Sequence, residues 1–198
     1  MVFRQCCSKY SFPNFAKVKS CCGEEDSNMI VSGKRKNDFY RVSAKVVNKQ
    51  SLSDKNLAHT KMELLLLKFL QVRCHPNIVR LLDEYEDRHY VILVFPTYEY
   101  DLLDFLEHHI VSEKCGAFII KQLVAAVKHL HSYNILHRDI KLENILINPK
   151  GPKVVLTDFG LAEFCYNESL KESCGSLGKP LVGLQVLSKL QVMQLPKF

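Results

Sequence analysis

Apolar residues follow two different periods along the chain, and each period predicts a different kind of element. The stretch from Phe39 to Val47 is apolar apart from polar interruptions such as Lys45, and the stretch from Tyr90 to Phe95 is almost continuously apolar. Both stretches are therefore predicted to be strands. From Leu57 to Val72 and from Cys115 to Tyr133, apolar residues instead recur every three or four positions, which predicts two helices.

Two short apolar runs after the second helix predict a β-hairpin. Residues 145–147 form its first strand and residues 153–157 its second, with a turn rich in proline and glycine between them. The hairpin brings Asn144, just before the first strand, and Asp158, just after the second, to the same end. Their side-chain oxygens could then meet at one Mg²⁺ ion, which prefers oxygen ligands and usually takes only one or two protein side chains.

Asp139 and Lys141 lie just before this hairpin. We expect Asp139 to lie close enough to the predicted Mg²⁺ site to receive a proton from an incoming hydroxyl group. Lys141 would add a positive charge where phosphoryl oxygens gain negative charge. The segment therefore places a proton acceptor and a positive charge beside the predicted Mg²⁺ site.

The first predicted helix carries Glu63 among apolar residues. A buried carboxylate is costly unless a partner compensates it, and Lys45 on the preceding strand is the expected partner. The alternative is that Glu63 lies at the edge of the helix and extends into solvent. The apolar positions assigned to the two helices are Met62, Leu65, Leu66, Phe69 and Leu70, then Ile119, Ile120, Leu123, Val124, Val127 and Leu130.

Composition suits a folded domain. The 198 residues are 47% hydrophobic and carry a net charge of +6, with basic residues scattered except at 34–36, so we expect no nucleic-acid binding. No apolar run approaches the ~20 residues that span a bilayer, and the N-terminus resembles neither a signal peptide nor a myristoylation site. Four of the eight cysteines form two adjacent pairs, Cys6–Cys7 and Cys21–Cys22, rather than metal-binding C-x-x-C spacings. We expect reduced thiols and a cytoplasmic location, with the nucleus as an open alternative.

The letters HRDIKLEN at 137–144 and DFG at 158–160 resemble the catalytic loop and the magnesium loop of eukaryotic protein kinases. The lysine two residues after the aspartate is more similar to the serine/threonine kinases than to the tyrosine kinases. HPN at 75–77 resembles the turn that follows the first helix in many kinases. The resemblance implies an α+β, two-lobed protein-kinase-like fold: a small antiparallel β lobe with one helix, and an incomplete, mainly helical large lobe.

The same resemblance implies roles for individual residues. Asp139, Lys141 and Asn144 would be catalytic, Asn144 and Asp158 would hold Mg²⁺, and ATP would be the phosphoryl donor. The acceptor would be a serine or threonine hydroxyl of a protein substrate. Lys45 and Glu63 resemble the strand-lysine to helix-glutamate ion pair of active kinases.

Nucleotide contacts follow from the string LVFPTYEYDL, which resembles the hinge stretch of cyclin-dependent kinases. Phe95 would be the gatekeeper, although a shift by one residue would give that role to Val94. The residues implied in nucleotide binding are Ala44, Lys45, Glu63, Phe95, Thr97, Tyr98 and Leu146.

The chain departs from the kinase pattern at two places. In the expected glycine-rich loop, near residues 8–15, Ser8, Tyr10 and Pro13 stand where glycines would let backbone amides approach phosphates. After residue 178 no APE motif follows, which predicts a truncated catalytic domain. The expected divisions are an N-terminal lobe at 1–95, a partial C-terminal lobe at 96–178 and a tail unlike kinases at 179–198.

Two functions stay open from the sequence. The first is a serine/threonine protein kinase. The second is a catalytically impaired or truncated kinase-like module that binds or regulates a partner.

Overall fold

The structure, a computed structural model, describes residues 15–20, 28–35, 40–148 and 151–165. The chain divides into two compact units. The first consists of Met1–Leu64 and Arg80–Thr97, and the second of Leu65–Val79 and Tyr98–Phe198. No helix in the described part of the chain is long and apolar enough to cross a membrane.

The first unit is built on a five-stranded antiparallel sheet. Its strands are β1 (Phe15–Ser20), β2 (Asn28–Arg35), β3 (Arg41–Asn48), β4 (Asp83–Glu86) and β5 (Tyr90–Pro96). They lie in the order β1-β2-β3-β5-β4, so that β3 and β5 are neighbours inside the sheet and β4 is an edge. The two strands predicted from the apolar runs are therefore confirmed, and the structure adds that they pair with each other.

Lys45 takes its position from the alternation of β3. Successive side chains of a strand point to opposite faces, and Ala44 and Val46, on either side of Lys45, are buried in an apolar cluster with Val94 of β5. The side chain of Lys45 therefore extends from the opposite face of the sheet. Within the sheet, the backbone of Lys45 is paired with that of Leu93.

Helix α1 (Asp54–Val72) begins earlier than the predicted start at Leu57. The hydroxyl of Ser53 accepts a hydrogen bond from the backbone N–H of Asn56 at 3.3 Å. A serine hydroxyl in this position satisfies one of the amide groups that a helix start leaves without a partner. The helix therefore includes the polar residues that precede its apolar pattern.

Three apolar positions assigned to the helix cores are exposed, which corrects the sequence analysis. Met62 is 37% exposed and Leu65 is 53% exposed in α1, and Val124 is 60% exposed in the second long helix. They fall outside the buried faces of their helices, which are formed by Glu63, Leu66, Leu67 and Leu70 in α1 and by Ile119, Leu123, Ala126 and Leu130 in the second long helix.

The described part of the second unit contains two further α-helices and two small sheets. Asp101 and Ser112 cap the helices by accepting hydrogen bonds from the N–H groups of Asp104, at 2.8 Å, and Cys115, at 3.3 Å. The elements are β6 (Tyr100–Asp101), α2 (Leu102–His108), α3 (Glu113–Ser132), β7 (Ile135–Leu136), β8 (Ile145–Asn148), β9 (Gly151–Leu156) and β10 (Glu163–Phe164).

The predicted hairpin is confirmed as β8 and β9, with Ile145 opposite Leu156. β6 adds a third strand beside β8, and β10 pairs with β7 in a separate sheet. Asn77 joins the hairpin to α3, because its side-chain amide donates to the carbonyl of Val154 at 2.7 Å and to the side chain of Gln122 at 2.8 Å. The hairpin that carries Asn144 and Asp158 at one end is therefore tied to α3 by the side chain of Asn77.

Candidate active site

The loop before β8 brings Asp139, Lys141 and Asn144 into contact. The side-chain amide of Asn144 donates to the backbone carbonyl of Asp139 at 2.8 Å and to its carboxylate Oδ2 at 2.9 Å. Lys141 forms an ion pair with the same Oδ2 at 2.8 Å, and this hydrogen bond raises the pKa of Lys141. Lys141 is therefore a cation beside the carboxylate, and Asp139 is held in one orientation by two neighbours.

Asn144 is buried, and its orientation bears on metal binding. Because its NH₂ group is committed to Asp139, the amide oxygen Oδ1 is the atom turned away from that carboxylate. The backbone carbonyl of Asn144 accepts a hydrogen bond from the N–H of Thr157 at 2.9 Å, which places Asp158 next to this end of the hairpin. The donor set at this end consists of oxygens, as Mg²⁺ prefers.

Asp158 has an unusual backbone conformation. Its φ angle is 61°, in the left-handed region that residues with a side chain seldom adopt. Its carboxylate accepts a hydrogen bond from the N–H of Gly160 at 3.4 Å. Strained conformations of this kind persist where the surrounding contacts impose them, and they cluster at functional sites.

His137 anchors the loop from within the core. Its Nε2–H donates to the carbonyl of Thr157 at 3.0 Å, and its ring meets the fully buried ring of Phe159 edge-on at 4.9 Å. Burial lowers the pKa of His137, and its Nδ1 has no hydrogen-bond partner among the described residues. The neutral ring is thus the stable form.

Arg138 and Glu163 belong to this site, although the sequence analysis did not single them out. Arg138 has a φ of 64°, and its Nε donates to the carbonyl of Leu161 at 2.6 Å. Its guanidinium also forms an ion pair with Glu163. An arginine before Asp139 and an acid five residues after Asp158 are the linear signal, but that spacing does not show that they meet.

In the first unit, the predicted ion pair between Lys45 and Glu63 is present. The Nζ atom of Lys45 lies 2.8 Å from one carboxylate oxygen of Glu63 and 2.9 Å from the other. The side chain of Glu63 is only 4% exposed and that of Lys45 17% exposed, so the alternative in which Glu63 extends into solvent is wrong.

The other residues implied in nucleotide binding lie in both units. In the first, Ala44 is buried opposite Val94, and half-buried Phe95 lies opposite Ser43. The hydroxyl of Ser43 is 3.0 Å from that of Thr97. In the second unit Tyr98 and Leu146 are half-buried, Leu146 on β8. Both gatekeeper assignments stay predictions.

Some expectations lie outside the described residues. They are the degenerate glycine-rich loop except Phe15, the cysteine pairs near the N-terminus and the tail at 179–198.

The comparisons with known proteins place this geometry in a family. The model of the protein kinase domain matches residues 16–178, and the chain belongs to the protein kinase family. It is 35% identical over 153 residues to the serine/threonine-protein kinase ppk6 of Schizosaccharomyces pombe, a match that covers 73% of this chain and 20% of that protein. It is 44% identical over 116 residues to the serine/threonine-protein kinase RAD53 of Saccharomyces cerevisiae, covering 56% of this chain and 14% of that protein.

The family match confirms the resemblance to serine/threonine protein kinases and the predicted α+β fold class. Protein kinases generally use ATP and Mg²⁺ and act on proteins. The chain spans about a fifth or less of the length of these curated relatives.

Proposed function

We propose that this chain carries the catalytic centre of a serine/threonine protein kinase, which transfers the γ-phosphoryl group of ATP to a hydroxyl of a protein substrate. The observation that carries this proposal is the bonded group of Asp139, Lys141 and Asn144. It combines a proton acceptor, a positive charge and a metal ligand within one short loop. The relatives ppk6 and RAD53 support the serine/threonine class by name.

Asp139 is the residue that receives the proton of the attacking hydroxyl. Its Oδ2 is occupied by Asn144 and Lys141, so the carboxylate cannot rotate freely. A fixed acceptor favours proton transfer because the substrate hydroxyl meets it in one geometry. Lys141 supplies positive charge next to that acceptor, where charge develops on the phosphoryl oxygens.

Asn144 and Asp158 are the residues that would hold Mg²⁺. The oxygen donors fit this ion, since the amide of Asn144 is oriented with its NH₂ group on Asp139 and its oxygen away from it. When bound, Mg²⁺ neutralises charge on the phosphates of ATP. The chain's own contribution is to fix the amide and to keep Asp158 at the end of the hairpin.

Lys45 binds the ATP phosphates in this proposal, and Glu63 holds its ammonium group in place. The pair is largely buried, and two hydrogen bonds to one carboxylate restrict the lysine to a narrow range of positions. The nucleotide contacts proposed beyond this pair are Ala44, Phe95, Thr97, Tyr98 and Leu146. A cytoplasmic location is proposed on the free thiols of Cys74 and Cys115.

A kinase-like binding module is the second candidate, and one observation favours it. The family match begins at residue 16, after the segment in which Ser8, Tyr10 and Pro13 replace the expected glycines. Weak phosphate binding there would leave a module that recognises a partner without transferring phosphate.

Phosphate transfer from labelled ATP to a generic basic protein separates the two candidates. Replacing Asp139 by asparagine keeps the shape but removes the proton acceptor, so we expect the rate to fall about a hundredfold or more. The matched control is Asp54→Asn, at an exposed position of α1, which should keep the rate. Incorporation that survives Asp139→Asn would contradict the assigned role. Binding of Mg-ATP without any transfer would support the binding module.

A further inference from the structure

Arg138 holds a backbone conformation that its sequence neighbours do not explain. Its φ of 64° is disfavoured for a residue with a Cβ atom, and no glycine flanks it. Such a conformation persists where other contacts over-determine it. The residue that follows Arg138 is Asp139, so whatever fixes Arg138 also fixes the start of the catalytic loop.

Two contacts of the Arg138 side chain supply that restraint. Its Nε donates to the backbone carbonyl of Leu161 at 2.6 Å, and its guanidinium pairs with the carboxylate of Glu163. Glu163 is itself attached by its backbone, because β10 pairs with β7 and places Glu163 opposite Leu136. Glu163 therefore meets the segment before Asp139 twice, once through the main chain and once through its carboxylate.

His137, the residue before Arg138, contacts the segment around Asp158 on its N-terminal side. His137 donates to the carbonyl of Thr157, immediately before Asp158, whereas Arg138 contacts residues that follow Gly160. The stretch from Asp158 to Gly160 is thus held on both sides by consecutive residues of one loop. A shift of Arg138 would therefore move the backbone around Asp139 and around Asp158.

We propose that Glu163 is a positioning residue for phosphoryl transfer, which acts by holding Arg138. The carboxylate of Glu163 pairs with the guanidinium of Arg138, and Arg138 donates a hydrogen bond to the carbonyl of Leu161. Together these contacts keep Asp139 and Asp158 in fixed positions relative to each other. This role rests on the kinase function proposed above.

The exposure of Arg138 and Glu163 distinguishes a positioning role of this pair from a general contribution to the stability of the fold. The side chain of Arg138 is 35% exposed and that of Glu163 is 52% exposed. Ion pairs as exposed as this one contribute little to the free energy of unfolding. Loss of the pair should therefore change local order and catalysis more than the melting temperature of the chain.

The test compares Glu163→Gln, Glu163→Asp and the control Glu99→Gln, which removes an exposed carboxylate elsewhere in the second unit. The first readout is hydrogen exchange of the backbone amides of Ala162 and Cys165, which bond to the carbonyls of Phe159 and Asn134. Glu163→Gln should speed this exchange about twofold to fivefold, Glu163→Asp less, and Glu99→Gln not at all. Added salt should speed it in the unaltered chain but not in Glu163→Gln, because salt screens the ion pair.

The second readout is kinetic. Glu163→Gln should lower kcat about twofold to fivefold with little change in the KM for ATP, because it disturbs alignment rather than ground-state binding. Unchanged exchange at Ala162 and Cys165, or an unchanged kcat in an active chain, would overturn the proposal. Complete inactivity of the unaltered chain would instead count against the kinase function, and the exchange data would then decide alone whether Glu163 holds the segment.

Discussion

Asn144 donates both of its side-chain hydrogen bonds to a single residue, Asp139, at 2.8 Å to the backbone carbonyl and 2.9 Å to the carboxylate. The NH₂ group of Asn144 therefore fixes the proposed proton acceptor, while its amide oxygen is turned away from that acceptor and is left for the proposed metal ion. An amide is needed for this arrangement because a carboxylate cannot donate.

Asn144→Asp should consequently destabilise the chain. The change removes two donated hydrogen bonds inside the fold and brings two carboxylates together, so we expect the free energy of unfolding to fall by about 1–3 kcal/mol. Urea denaturation at neutral pH measures the loss. The control is Asn56→Asp in the first turn of α1, where an acid is favourable and the stability should hold or rise slightly. Equal stabilities for the two variants would contradict the bonding described for Asn144.

Lys45→Met should remove the response of the chain to nucleotide. Mg-ATP that binds only the native state should stabilise the unaltered chain by about 2.7 kcal/mol at a hundredfold excess over its dissociation constant. Without the ammonium group, the phosphates lose their partner in the first unit, and the thermal shift should shrink or disappear. The apo variant should also melt earlier, because Glu63 stays buried without Lys45.

The control for that melt is Lys61→Met, at an exposed position of α1. This variant should keep both its apo melting temperature and its shift with Mg-ATP. A shift in Lys45→Met as large as in the unaltered chain would show that nucleotide binds without this lysine.

Stability should depend on pH through His75. Its Nδ1 accepts a hydrogen bond from the N–H of Asn77 at 3.1 Å, and its ring lies 4.9 Å from that of His129. Burial, and secondarily the charge of His129, lower the pKa of His75 below its ordinary value of 6.5. The unfolded chain therefore binds a proton more readily than the folded one, so the free energy of unfolding should fall as the pH drops through 6.5 and level off below the folded pKa.

Chemical denaturation at pH 8 and at pH 5.5 measures this dependence. Burial shifts the pKa of His137 in the same direction, so part of the pH effect should survive any change at His75. His75→Asn keeps an acceptor for the Asn77 N–H but cannot be protonated in this range. We expect this variant to lose less stability than the unaltered chain between the two pH values. The loss of stability is measured for each protein relative to its own value at pH 8, so any destabilisation caused by the substitution itself does not enter the comparison. An identical loss in both proteins would rule out His75 as a source.

Local pattern was enough to predict several parts of the structure. The hairpin of β8 and β9 follows from alternating apolar residues around a turn, and this contact is close in sequence. The pair of Lys45 and Glu63 followed from a physical conflict, since a glutamate in an apolar helix face requires a cation. In both cases the residues at these positions are compatible with only a few local structures.

Other parts depend on contacts that the linear pattern does not contain. The start of α1 at Asp54 is decided by the cap of Ser53 rather than by apolar spacing. Val124 is apolar but lies on the exposed side of α3, because Leu123 and its buried neighbours set the face that packs. The role proposed for Glu163 depends on the pairing of β10 with β7, which brings Glu163 to Arg138.

The strand order of the first sheet also bears on how the chain is synthesised. β3 pairs with β5, and Lys45 lies opposite Leu93, a residue on a strand that follows α1 and β4 in the chain. At roughly 5–20 residues per second on the ribosome, a few seconds pass before β5 is available to β3. During that interval Val42 and Val46 have no strand on that side, and the nascent β3 is open to pairing with other chains. We expect chaperone dependence during translation, because the lysine proposed to bind phosphate lies on an inner strand that is completed late.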